Sequence, residues 1–227
     1  MLDALIFDFD GVVVDSEPIH LACFREVLGR RGIELRTEDY YSLYLGFDDH
    51  DCFQAVLVNN GRDPDEAEIA AMTAEKTAMV QRAIRESIQP LPGALELMRA
   101  AREAGLAVGV CSGALRDEIE LAGETIGAME MIQVLVAAKD VANGKPDPEG
   151  YAKTVELLSA AVGRRIDPAR TWVVEDSPAG VQAGKGAGCR VLAVTNSYPA
   201  EELAAADHVV DSLTEVSLGD LDTSQEG

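Results

Sequence analysis

Short apolar runs bounded by Gly, Ser or Asp recur along the chain, at residues 4–7, 106–111, 132–137, 172–174, 190–194 and 208–210. Each is too short for a typical helix and rich in Val, Ile or Leu, the composition of strands buried on both faces. Between the runs the apolar positions change period. Ala94, Leu95, Leu97, Met98 and Ala101 recur near every 3.6 residues, as do Tyr151, Val155, Leu158 and Val162. Strand and helix alternating in this way predict a parallel sheet wrapped by helices through right-handed crossovers, an α/β fold with a Rossmann-like core.

One stretch breaks the alternation. Residues 15–88 carry helical patterns and no convincing strand. Pro18 followed by Ile19, Ala22, Cys23, Val27 and Leu28 predicts a first amphipathic helix with proline near its start, and residues 65–86 a long later one. That is more chain than a crossover needs. It predicts an α-helical cap over 15–88 inserted into a core made of 1–14 and 89–218. The polar end, 219–227, is expected to be a flexible tail.

Charge narrows the partners. Forty acidic residues against 19 basic ones leave the 227-residue chain with a net charge of −21, unsuited to neutralising a nucleic-acid backbone. A phosphate site in such a chain has to be built locally, from a cation and a few aimed donors. Cys23, Cys52, Cys111 and Cys189 are scattered and form no CxxC pair, which argues against zinc and against a disulfide framework. The first residues enter a strand-like run at once, and no apolar run reaches the length of a membrane span. A cytoplasmic protein with no membrane or nucleic-acid partner is expected, as a monomer or weak dimer.

Candidate chemistry lies where the apolar runs stop. Ligands of open parallel sheets bind outside the carboxyl ends of the strands. The first run ends in Asp8-Phe9-Asp10-Gly11 and the second in Ser112-Gly113. The third is followed by Gly144-Lys145-Pro146, and the fourth ends in Glu175-Asp176-Ser177. Taken singly, each is an ordinary turn or an exposed lysine loop; together at successive strand ends they fit one reaction. A carboxylate such as Asp8 can attack phosphorus and split phosphoryl transfer into two easier steps. Asp10, two residues further along an extended chain, would face the same side and move the proton of the leaving alcohol and then of water. Crowded carboxylates call for a hard cation, and Mg2+ suits Asp8, Asp176 and Glu175. Ser112, the backbone N–H groups after it and Lys145 would bind phosphoryl oxygens.

These residues resemble the haloacid dehalogenase superfamily of phosphotransferases, in the branch with a helical cap after the first motif. Residues 7–16 (FDFDGVVVDS), Cys111-Ser112-Gly113, residues 144–148 (GKPDP) and residues 174–180 (VEDSPAG) are similar to its four motifs in order. The resemblance implies Asp8 as nucleophile, Asp10 as acid/base, Ser112, Gly113 and Lys145 as phosphate-binding, and Asp8, Asp10 through its carbonyl, Asp176 and neighbouring Glu175 as magnesium ligands. The substrate would be a small phosphorylated metabolite. Dehalogenases of the superfamily lack the second aspartate, so Asp10 favours phosphate-ester chemistry.

Within the superfamily the chain is most similar to β-phosphoglucomutase-like proteins, a group that includes sugar-phosphate phosphatases. The mutases carry Lys-Gly-x-Ser-Arg in the cap, where it grips a second phosphate; here the matching residues are Leu45-Gly46-Phe47-Asp48-Asp49. An aspartate there repels a second phosphate, so a phosphatase is expected rather than a mutase; the presence of every acid/base and metal residue of the motifs favours a catalyst over a non-catalytic binder. Asp48, Asp49 and His50 are candidates for hydroxyl contacts, Phe47 for stacking, and Lys76 and His20 for further substrate contacts. Each has a plainer reading as a solvated helix face or cap packing. Tyr40, Tyr41 and Tyr44 are expected in the cap's core.

Overall fold

The computed structural model describes residues 2–45 and 47–223. The chain divides into two compact units, one formed by residues up to Asp15 and from Ile88 onward, the other by Ser16–Ser87.

The first unit is an α/β layer structure, as the alternating pattern predicts. Its six parallel strands are β1 (Ala4–Phe7), β2 (Ala107–Cys111), β3 (Val134–Val136), β4 (Thr171–Glu175), β5 (Arg190–Val194) and β6 (His208–Val210), in the order β3-β2-β1-β4-β5-β6. β1 is therefore interior, with Phe7 level with Val110 of β2 and with Val174 of β4. Every residue of β1, β2 and β4 is buried, which is why these segments read as unbroken apolar runs. Helices Ala94–Glu103, Arg116–Ile126, Glu149–Val162 and Pro178–Gly186 cover the sheet. Tyr151, Val155 and Leu158 of the third of these pack with Ile6, Val173 and Val191 in one cluster. Each such large apolar side chain contributes roughly 1.5–3 kcal/mol by leaving water.

Ser16–Ser87 is helical throughout its regular elements: Glu17–Gly29, Asp49–Asn59 and Glu66–Ser87, with a short turn at Thr37–Asp39 that runs into a π-helical stretch, Tyr40–Tyr44. Pro18 sits in the first turn of Glu17–Gly29. The side chains of Asp48 and Asp65 accept the backbone N–H groups of Asp51 and Glu68 at 2.8 Å and so close the exposed ends of the next two helices. Val27, Leu28, Phe53, Leu57, Ile69 and Met72 form this unit's own core, with Phe24 and Phe53 edge to face at 4.9 Å.

Two expectations need correction. Tyr40 and Tyr44 are buried, but Tyr41 is exposed; the π-helical turn changes the register that a 3.6 period assumes. Residues 219–223 are not a loose tail: Leu218–Thr223 is helical, Leu221 is 2% exposed, and the Trp172 indole donates to the Leu221 carbonyl at 3.1 Å. Residues 224–227, and Gly46 of the cap segment, lie outside the described residues. All four cysteines are buried and unpaired. Among the described residues no helix is long and apolar enough to cross a membrane.

Candidate active site

Because all six strands run the same way, their carboxyl ends share one rim, and the polar residues that follow them collect there. Asp8 follows the interior strand β1 and is tied to the neighbouring β4, its N–H donating to the Val174 carbonyl at 2.9 Å. Glu175 is the last residue of β4, and Asp176 comes next. Ligand oxygens of Asp8, Glu175 and Asp176 lie within 4.8 Å of one another. Lys145 reaches this group from the loop after β3, where the Lys145–Pro146 bond is cis. Its Nζ is 2.8 Å from Asp8 Oδ1 and 2.6 Å from Glu175 Oε1.

The charges do not cancel. Three carboxylates meet one ammonium in a buried place, which leaves two negative charges if all are ionised. Burial pushes the Asp8 carboxyl well above its usual range; Lys145 pulls it back, and Glu175 and Asp176 add repulsion. Burial likewise lifts Asp176 to about 6, against the hydrogen bond from Ser197, while Glu175 pushes it further up. Burial works against the charge of Lys145, yet Asp8 and Glu175 hold its ammonium above the usual lysine value. Glu175 also suffers burial, but Lys145, Tyr151 and Ser177 keep it below the usual carboxylate range.

Glu175 does something different from its neighbours. It is 0% exposed, and both oxygens are already engaged. Oε1 accepts Lys145 Nζ and the Tyr151 hydroxyl, each at 2.6 Å. Oε2 accepts the N–H groups of Asp176 (3.0 Å) and Ser177 (3.2 Å) and the Ser177 hydroxyl (3.0 Å). Gly180 makes room for it, since a Cβ there would lie 1.8 Å from the carboxylate. So saturated a carboxylate has little left for an ion, and its geometry suits an anchor for Lys145.

The donor set fits a hard divalent cation. Asp8 Oδ1 already meets Lys145 and Asp176 Oδ2 the Ser197 hydroxyl, so each carboxylate has its second oxygen to offer; among the described residues no softer ligand joins this group, and two positive charges match the deficit. Gly11 shapes this corner: its φ is +76°, and a Cβ on it would lie 1.9 Å from Asp176 Oδ2.

Two predicted residues stand in turns rather than where the periodic reading put them. Asp10 is not a further residue of an extended strand: β1 stops at Phe7, and Asp10 forms an isolated bridge with Val14 as the chain folds back. Ser112 follows β2 and is buried; its Oγ accepts the Ala114 N–H at 3.0 Å, which leaves its own proton to donate elsewhere, with Gly113 beside it.

The cap candidates His20, Asp49 and Lys76 come together within the helical unit. Lys76, expected as a charge on a helix face, is instead 1% exposed. Its ammonium donates to Asp49, approaches His20 Nδ1 at 2.8 Å and stands 4.2 Å from the centre of the Phe24 ring. Burial, and then Lys76, drive the His20 imidazole down to about 3, so it is neutral. Phe47 is exposed, and His50 is engaged by Asp51 at 3.2 Å and Glu66 at 3.0 Å.

Sequence reasoning missed Tyr151, Asn196 and Ser197. Tyr151 read as an apolar position on a helix, and its hydroxyl gave no signal. The other two follow β5 after a single residue, Thr195, so the strand-end rule applied to a fifth strand would have found them.

Comparison with known proteins places this arrangement. The profile of haloacid dehalogenase-like hydrolases matches residues 5–194. Validoxylamine A 7′-phosphate phosphatase from Streptomyces hygroscopicus subsp. limoneus is 32% identical over 95% of this chain and 96% of its own. Hexitol phosphatase A from Escherichia coli K12 is 31% identical over 94% and 92%. Among solved structures, a putative β-phosphoglucomutase from Thermotoga maritima superposes with a TM-score of 0.80 at 25% identity, covering 98% of this chain and 99% of that one. The chain belongs to the haloacid dehalogenase-like hydrolase family.

Proposed function

We propose that this enzyme is a magnesium-dependent phosphatase that removes the phosphate of small phosphorylated metabolites, sugar and sugar-alcohol phosphates foremost, through a phosphoryl group carried on Asp8. The observation that carries the reading is the buried Asp8 carboxylate held 2.8 Å from Lys145 and grouped with Asp176. Two phosphatases among its relatives, acting by name on a validoxylamine phosphate and on hexitol phosphates, support the substrate class.

In this reading Asp8 attacks the phosphorus, the ester oxygen departs with a proton from Asp10, and Asp10 then takes a proton from the water that releases inorganic phosphate. Lys145 orients Asp8 through Oδ1 and offsets charge on the phosphoryl oxygens, while Ser112 Oγ and the Gly113 N–H donate to them. Asp8, Asp176 and the Asp10 carbonyl would hold Mg2+, with Glu175 anchoring Lys145. The ion would screen the carboxylates from the incoming phosphate and stabilise charge on the oxygens in transfer.

A mutase passing through a bisphosphate has to hold a second phosphate. Lys76 is the only lysine between Ser16 and Ser87, and its ammonium is already paired with Asp49. That pairing favours hydrolysis over mutase chemistry.

The test is phosphate release from p-nitrophenyl phosphate and from a panel of hexose and hexitol phosphates. The wild type should turn over at least one of them, and Asp8→Asn should be folded and lose at least ~1,000-fold in kcat. Near-normal hydrolysis by that variant would remove Asp8 as nucleophile. Conversion of β-glucose 1-phosphate to the 6-phosphate, with a bisphosphate activator, would establish the mutase instead. Binding of sugar phosphates without turnover would leave a non-catalytic relative.

A further inference from the structure

The loop after β5 lies at the same rim as the Asp8 and Asp176 carboxylates. It is anchored on its far side: Thr195 N–H donates to the Val210 carbonyl at 3.0 Å, and Thr195 Oγ1 to Asp211 Oδ1 at 3.1 Å. From there two successive side chains reach back toward the ends of β1 and β4. Asn196 Nδ2 donates to the Gly11 carbonyl at 2.8 Å, across 185 residues of sequence. The Ser197 hydroxyl donates to Asp176 Oδ2.

These contacts surround a single oxygen. Asp176 Oδ2 lies so close to Gly11 that a Cβ there would come within 1.9 Å of it, and that same Cβ would lie 3.0 Å from Ser197 Oγ. Gly11 and Ser197 thus enclose Oδ2, and the Asp176 carboxylate cannot rotate without breaking a hydrogen bond or striking backbone. Its other oxygen, Oδ1, is the one left to coordinate. Asn196 holds the Gly11 wall in place, and the Gly11 N–H is itself bonded to the Val14 carbonyl at 2.7 Å. Two loops that follow different strands are stitched around one carboxylate.

We propose that Asn196 and Ser197 are positioning residues of the cation site: they orient Asp176 so that a divalent ion meets one defined oxygen. This rests on the reading of Asp8 and Asp176 as magnesium ligands. Partners that orient a ligand from behind commonly change metal affinity 10–100-fold when removed.

Direct titration of the purified protein with Mg2+ and Mn2+ by calorimetry tests it without reference to turnover. Ser197→Ala should weaken binding at least ~10-fold, and Ser197→Thr, which keeps the hydroxyl, should return it to within about threefold of wild type. Asn196→Ala should weaken binding in the same direction. Thermal melts in chelator confirm that each variant is folded. Wild-type binding in Ser197→Ala, or binding as weak in Ser197→Thr as in Ser197→Ala, overturns the proposal while leaving the cation site standing. A wild-type protein that binds neither ion, yet hydrolyses phosphate esters in chelator, overturns both.

Discussion

Tyr151 donates its phenolic proton to Glu175 Oε1 at 2.6 Å, on the same oxygen that receives the Lys145 ammonium. The tyrosine is fully surrounded, as is the glutamate. One buried carboxylate therefore joins a core helix position to the lysine that faces Asp8. Tyr151→Phe keeps the ring and removes one donor to a charged acceptor, a change that costs about 1.5–3 kcal/mol. Urea unfolding should show that loss, and kcat should fall with it as Lys145 is held less firmly. A variant as stable as wild type would mean that the hydroxyl is not needed by Glu175.

Chelation probes the charge imbalance at the rim. With EDTA present, activity should vanish and Mg2+ should restore it, because Asp8 and Asp176 are left with one ammonium between them and Glu175. Full activity in excess chelator would contradict the divalent site.

Gly11→Ala tests close approach. The methyl group meets Asp176 at 1.9 Å and occupies a backbone at φ +76°, so both the turn and the carboxylate have to shift. The strained backbone alone costs on the order of 1–3 kcal/mol, and activity should fall more than ~100-fold, since an ångström of misplacement is enough for that. Retention of wild-type kcat and stability would show that the turn yields freely.

His20 supplies a pH-dependent prediction in the helical unit. Burial, then Lys76, hold its folded pKa at about 3 against an ordinary 6.5. Below pH 6.5 the unfolded chain therefore takes up a proton that the folded one refuses, and stability drains away as pH falls from 6.5 toward 3. His20→Gln cannot take that proton. Between pH 7.5 and pH 5 the urea midpoint of wild type should drop further than that of His20→Gln; equal drops would place the imidazole in contact with water in both states.

The alternation of β-rich apolar runs with helical patterns determined the α/β class and the membership of the sheet. Strands buried on both faces leave no polar face to confuse the pattern, and Ala4–Phe7 and Arg190–Val194 coincide with the runs read from sequence. The site was legible for a related reason: in a parallel sheet every strand end falls on one rim, so Asp8, Lys145, Glu175 and Asp176 could be grouped from order alone. What each of them does there was decided by side-chain contacts between distant segments. No local pattern marks Glu175 as saturated by five donors or Tyr151 as one of them. None marks Lys76, on a helix of mixed polarity, as buried against Asp49, His20 and Phe24. Those outcomes depend on which groups lose water together, and only the packed chain sets that.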